Sequence, residues 1–398
     1  MKYDFTTMLN REGTGDLAIT GIPIPGATIK EGFSRIPMWI ADMNFATVPT
    51  INEEIMKRLQ VPAYGYFNTS DAYYDSIIRW HKKRNGVEIT RDMIGYENGV
   101  LGGVVSALRV LCNAGGKVLI HAPTYMGFMG SLAKNGYKMV TSQLQRDEEG
   151  VWRMDFEDMD RKLKEEKIHV AIMCSPHNPC GRVWERWELE KAMEVFAKND
   201  CYVICDEIWS DLIQEDHKHI PLYSISEEAA KRTVTLYAPS KTFNLAGTIG
   251  SYHIIPNAYL RDRVQEYSNL HGYNSMNVFS MCALVGAYTA EGEEWCDQLC
   301  QVLADNINYA CDYISKNFKG VKVSKPEGTY MLLLDCEEWC KEHGKTHEEM
   351  LRAGVACGIV WADGRAFNAP TGIRMNLAVP TEVVKEAFDR LDKYVFNA

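Results

Sequence analysis

The chain has 398 residues, 46% hydrophobic and 24% charged, with a formal net charge of -10. That supplies a large core plus a second domain, while the acidic balance, with no compensating basic block, opposes binding to nucleic acid or an anionic membrane surface. The opening MKYDFTTMLNREGTG lacks a basic stretch followed by an apolar one, no run of eighteen apolar residues occurs, and the twelve cysteines form no CxxC pair. A cytoplasmic protein with reduced thiols, no membrane span and no metal is expected.

Residues 1–45 carry Gly, Pro and Thr with little periodicity and are expected to form an arm that contributes to the small domain and to substrate entry. From about residue 95 helix-like and strand-like segments alternate. GVLGGVVSALRVLC has helical spacing and KVLIHAPTY reads as a buried strand; HVAIMCSPHNP is strand then loop and ERWELEKAMEVFAKN an amphipathic helix. YVICDEIW, TVTLYAPSK and SYHIIP read as further strands. Short apolar strands separated by helices predict an α/β domain over 46–285, with a mostly parallel sheet flanked by helices. After about residue 285 longer charged helices, KVSKPEGTYMLLLD and a final amphipathic TEVVKEAFDRLDKYV predict a smaller α+β domain over 286–398.

Ligands of an open α/β sheet gather at the carboxyl ends of its strands. The polar residues just past the predicted strands are Tyr125, Asn178, Asp206 and Lys241. Each alone is ordinary; a lysine after a strand is usually a solvated loop residue. Together they match the separate needs of pyridoxal 5′-phosphate (PLP). Lys241 supplies an amine for its aldehyde, and Asp206 a carboxylate to keep the pyridine nitrogen protonated. Asn178 supplies a donor to the phenolic oxygen and Tyr125 an aromatic face. Backbone N–H groups at Gly99, Val100 and Leu101, where ENGVLGGVVSAL opens a helix, suit the phosphate.

SPHNPCGRVW, CDEIWSDL and APSKTFNLAG occur in that order, with WIADMNF, YGYF, PTYMGF, EGTY and GIRMNLAVP around them. On these segments, spread over most of the chain, the sequence resembles the fold-type I PLP-dependent aminotransferase superfamily (class I/II). Within it the chain is most similar to the PatB- and MalY-like cystathionine β-lyase (C–S lyase) branch. The resemblance implies that Arg374 grips the substrate α-carboxylate as a fork, that Ser240 is a phosphate ligand, and that Trp39 and Ala41 line substrate entry. It implies too that Tyr66 reaches the phosphate of a neighbouring subunit, making the active unit a homodimer with shared sites.

The activity implied is carbon–sulfur β-elimination from cystathionine or a related L-cysteine S-conjugate, giving a thiol, pyruvate and ammonia. An aminotransferase shares the early steps and stands as the alternative; a PLP-binding regulatory interaction protein is a third reading. The chain departs from the branch at Trp209, where histidine is usual, and at Asn44, where aspartate is common; both departures are expected near the substrate. Ile249 stands where aspartate aminotransferases carry a phosphate-binding arginine. Arg35, Arg365 and Lys30 read as solvated charges. The His217/His219 pair has no evident third metal ligand, His121 reads as structural, and His271, Tyr273 and Asn274 either line the pocket or join helices.

Overall fold

Seven strands form one sheet in the order Ile94–Glu97, Ser251–Ile254, Thr233–Tyr237, Tyr202–Asp206, Val170–Cys174, Lys117–Ala122 and Lys138–Gln143. The computed structural model in which they are seen describes residues 1–214 and 216–398. Only Ser251–Ile254 runs antiparallel to its neighbours; the pairings from Thr233–Tyr237 outward to Lys138–Gln143 are parallel. The uninterrupted apolar text of the central strands follows from burial on both faces. Val118, Ile120, Val170, Ile172 and Ile204 pack into one core, while Leu119, Ala171, Met173, Val203 and Cys205 pack into the layer behind the sheet.

A second, four-stranded antiparallel sheet has the order Lys322–Val323, Met331–Asp335, Gly372–Asn376, Ala362–Asp363. Its core includes Leu332, Leu334, Ile373 and Met375 with Val384, Phe388 and Leu391 of the last long helix, Thr381–Leu391. The arm joins this layer: Ile36 and Pro37 pair in parallel with Ile359 and Val360. Helix Ala290–Asn317 ties the two cores together. Thr289 caps it by accepting from the Gly292 N–H at 3.0 Å, a contact contributing about 1 kcal/mol. Trp295, Leu299 and Leu303 then enter the large core, and Ile307, Ala310 and Ile314 the smaller one. Among the described residues no helix is long and apolar enough to cross a membrane.

Candidate active site

The parallel strands end together, and the loops that leave them wall a cavity of about 650 Å³, within the size range of small-molecule sites. Asp206 ends its strand in register with Cys174 and Leu236 on either side. Lys241 lies four residues beyond the end of the next strand, Tyr237. Tyr125, Asn178, Asp206, Ser240, Lys241 and Arg374 all line this cavity, as do Gly99, Val100, Leu101, Trp39 and Ala41.

At the far wall helix Val100–Leu111 begins without a side-chain cap, and Gly99 turns into it at φ +78°. An L side chain is strained at that angle, and the first N–H groups of an uncapped helix form an anion site backed by the helix dipole. Ser240 stands in the same cavity wall.

Burial shapes the titration of the central pair. Lys241 is pushed down to about 8, chiefly by desolvation and then by the Arg374 charge, against the pull of Asp42 and Asp206. Its Nζ donates to the Ala41 carbonyl at 3.0 Å and stands 5.9 Å from the centre of the Trp209 ring. Asp206 is pushed up to about 7, again chiefly by burial, although it accepts the Ile208 N–H at 3.0 Å. Among the described residues no salt bridge includes it. A buried carboxyl group without an ion-pair partner is suited to a cationic N–H brought in by a ligand.

Arg374 reaches the cavity from the second sheet, where it sits opposite Leu333 and Ala362. Its Nη1 donates to Asn178 Oδ1 at 3.1 Å and Nη2 to the Trp39 carbonyl at 2.9 Å, with the guanidinium over the Phe367 ring at 4.1 Å. Its buried Nε has no acceptor among the described residues. Because Asn178 accepts from Arg374 through its oxygen, its NH2 group is left to donate elsewhere.

Other expectations fall outside the cavity. Tyr66 is fully exposed on the exposed segment 61–68 and lines no part of the cavity. Asn44, expected near the substrate, is instead buried outside the cavity wall, its side-chain amide without a partner among the described residues. Trp209 does line the cavity, packed edge-on against Tyr330 at 4.8 Å. Arg35 bonds the Gly21 carbonyl, Arg365 pairs with Asp363 and Glu348, and Lys30 is exposed. The histidine pair separates: His217 is exposed, while His219 is buried with Nε2 2.8 Å from Glu207, and no metal-holding cluster occurs among the described residues. His121 is buried against Met159. His271 bonds only its own helix, and Tyr273 and Asn274 lie behind the Gly99 turn rather than in the cavity wall.

The structure adds wall residues that the motifs did not single out: Asp42, Phe367 and Ala362. Asp42 is held by a two-pronged pair with Arg11 at 2.7 and 2.9 Å and by Asn244 at 3.0 Å. It lies inside WIADMNF, so its neighbourhood to Ala41 was the available signal. Phe367 comes from the short turn Gly364–Phe367 between strands Ala362–Asp363 and Gly372–Asn376 of the second sheet and carries no periodic signature.

A mostly parallel sheet whose strand ends gather a desolvated lysine, a buried carboxyl and an arginine from a second layer defines the fold-type I class of α/β protein. Within that class the chain belongs to the aminotransferase class I and II family, whose sequence model matches residues 42–391. It is 33% identical over 319 residues to cystathionine β-lyase PatB of Bacillus subtilis, covering 80% of this chain and 82% of PatB. Among solved structures it superposes on a PLP-bound protein from Clostridium difficile, provisionally described as an aminotransferase, with TM-score 0.90 at 32% identity, covering 98% of this chain and 99% of that one. Cystalysin from Treponema denticola, which contains a PLP cofactor, matches with TM-score 0.89 at 29% identity over 99% of both chains.

Proposed function

We propose that the protein is a PLP-dependent carbon–sulfur β-lyase that cleaves cystathionine or a related L-cysteine S-conjugate to a thiol, pyruvate and ammonia. The observation that carries this reading is the pairing of a desolvated Lys241 with an unpaired, buried Asp206 in a cavity whose only other basic wall residue, among those described, is Arg374. When bound, PLP supplies an electron-accepting ring that stabilises negative charge at the substrate Cα.

The chain's own residues would do the rest. Lys241 would hold the cofactor and take the Cα proton; an amine titrating near 8 is about one-tenth neutral at pH 7, against about one part in several thousand for an unshifted lysine. Asp206 keeps the ring nitrogen protonated, Asn178 donates to the phenolic oxygen and Tyr125 covers the ring. The N–H groups at Gly99, Val100 and Leu101, with the Ser240 hydroxyl, hold the phosphate. Arg374 fixes the α-carboxylate so that the Cα–H bond points at Lys241, and Trp39 and Ala41 border the entry. As the proton leaves Cα, the Cβ–S bond breaks with its electron pair on sulfur. The three-carbon fragment departs as an enamine, which water converts to pyruvate and ammonia.

An aminotransferase would use the same residues, but one acting on dicarboxylates needs a second cation for the distal carboxylate, and Arg35, Arg365 and Lys30 are all outside the wall. Retention of the whole set of reactive residues favours an enzyme over a purely regulatory binding protein. The exposed Tyr66 segment is consistent with a homodimer in which Tyr66 meets the partner's phosphate. We assign residues 1–45 to the arm, 46–285 to the PLP-binding domain and 286–398 to the small domain of a cytoplasmic enzyme. Incubation with L-cystathionine is expected to release homocysteine and pyruvate in equal amounts over many turnovers with no added keto acid. A single turnover that resumes only when a keto acid is supplied would establish the aminotransferase instead.

A further inference from the structure

Behind the Gly99 turn lies a buried polar cluster to which the proposed chemistry assigns no part. Glu97 is 1% exposed, at the end of an edge strand and two residues before Gly99. A carboxylate is costly in such a place unless every oxygen is bonded, and here both are. Oε1 accepts from His253 Nδ1 at 2.8 Å; Oε2 accepts from Ser106 Oγ at 3.0 Å and from Asn274 Nδ2 at 2.6 Å. The Glu97 carbonyl accepts both the Gly99 N–H and the Ser251 hydroxyl, each at 2.9 Å. The other end of the Asn274 amide completes the circuit: Oδ1 accepts the Asn98 N–H at 2.9 Å.

We infer that Glu97 is a positioning residue for the phosphate cradle, acting through Asn274 to fix the Glu97–Asn98 peptide that leads into the Gly99 turn and so sets the first N–H groups of helix Val100–Leu111. This role rests on the PLP reading above and follows from polarity. Asn274 can accept from Asn98 only with its oxygen, so its NH2 must face position 97, and position 97 must there be an acceptor. The carboxylate meets that need while also accepting from His253 and Ser106. Tyr273, whose hydroxyl bonds Ser106, fastens the same loop to the helix. Glu97, Ser106, His253, Tyr273 and Asn274 all stand outside the cavity wall, which separates them from the residues that would touch the cofactor.

Polarity also supplies the test. In Glu97→Gln, the amide can keep its oxygen towards Asn274 only by turning its NH2 to His253 Nδ1, so the circuit survives there only if the imidazole moves its proton to Nε2. In Asn274→Asp, two carboxylates face each other. In the double variant the new amide at position 97 donates to the new carboxylate at position 274, which still accepts from Asn98, so the circuit closes again with the roles exchanged. Asn274→Asp is expected to weaken PLP binding about tenfold, the loss of one hydrogen bond to a charged group, and to shift the phosphorus-31 resonance of the bound phosphate, with Glu97→Gln showing a smaller effect of the same sign. The double variant is expected to return within about twofold of the parent in both readouts, since the circuit is whole again.

An Asn274→Asp variant that binds PLP as tightly as the parent with an unmoved resonance, or a double variant no better than Asn274→Asp, would overturn the inference. If Glu97→Gln does not fold, Asn274→Ala removes the tie while leaving Glu97 bonded to His253 and Ser106, and the same tenfold weakening is expected of it. A parent protein that takes up no PLP at all removes the cofactor reading and this inference together. A parent that binds PLP while Asn274→Ala matches it removes the inference alone.

Discussion

Lys241→Ala should lower turnover of L-cystathionine by more than about 10³-fold, the scale of losing a positioned general base together with its covalent role. The residue's place in the structure explains why no neighbour can substitute. Among the described residues Arg374 is the only other basic group in the cavity wall, and it is engaged by Asn178, the Trp39 carbonyl and the Phe367 ring. The variant should nevertheless fold. Folding depresses the lysine's pKa to about 8, so the charged amine is disfavoured by the native state below that pH. Removing it at pH 7 is expected to leave the unfolding temperature of the cofactor-free protein at or above that of the parent. A variant with parent-like activity in a steady-state assay would remove Lys241 from the chemistry.

Asp206→Asn should lower kcat about 10²–10³-fold, as expected when a preorganised charge facing the reacting system is replaced by a neutral group. An amide cannot hold the proton on the ring nitrogen as a carboxylate does. Stability offers a second readout with the opposite sense. Burial raises Asp206 to about 7 in the folded chain, above its ordinary value of 3.8. Its contribution to the cofactor-free protein is therefore fully present below about pH 4 and lost as pH rises through about 7, a span of a few kcal/mol. Urea midpoints of the cofactor-free parent should carry that decline, and those of Asp206→Asn should lack it. With PLP bound, a cationic partner restores the carboxylate and the parent's decline should shrink. An identical pH dependence in the two cofactor-free proteins would contradict the burial argument.

Five of the seven strands of the large sheet were legible, because the central ones are buried on both faces and read as short continuous apolar runs, with Tyr125, Asn178, Asp206 and Lys241 at or just past their ends; the edge strands Ile94–Glu97 and Lys138–Gln143, the latter largely exposed, were not read. Periodicity also marked the long helix Ala290–Asn317, whose apolar stripe shifts from one core to the other. Strand direction was not legible. SYHIIP reads as a strand, yet nothing in its own residues says that it runs antiparallel between two neighbours. The arm's strand, Ile36–Pro37, is only two residues long and is defined by a partner more than three hundred positions away.

Within the site, groups that act through a backbone atom or across the two layers escaped local pattern. Ala41 meets Lys241 through its carbonyl, for which the side chain carries no signal, and it was found by resemblance alone. Phe367 is delivered by a turn of the second layer. Asn44 was expected near the substrate because it stands where the lyase branch commonly carries aspartate, but the chain buries it outside the cavity wall. The His217/His219 pair offered no third metal ligand in the sequence, and the partner that His219 does have, Glu207, comes directly after Asp206 at the end of strand Tyr202–Asp206.

Cofactor attachment and proton transfer meet at one atom, the Nζ of Lys241. The purified yellow protein should be reduced with borohydride, digested, and its peptides mapped by mass spectrometry. One pyridoxyl group per chain, carried by the peptide containing APSKTFNLAG and located on Lys241, is the predicted result. A label on any other lysine, or no label on a protein that keeps its colour and its lyase activity, would contradict the assignment.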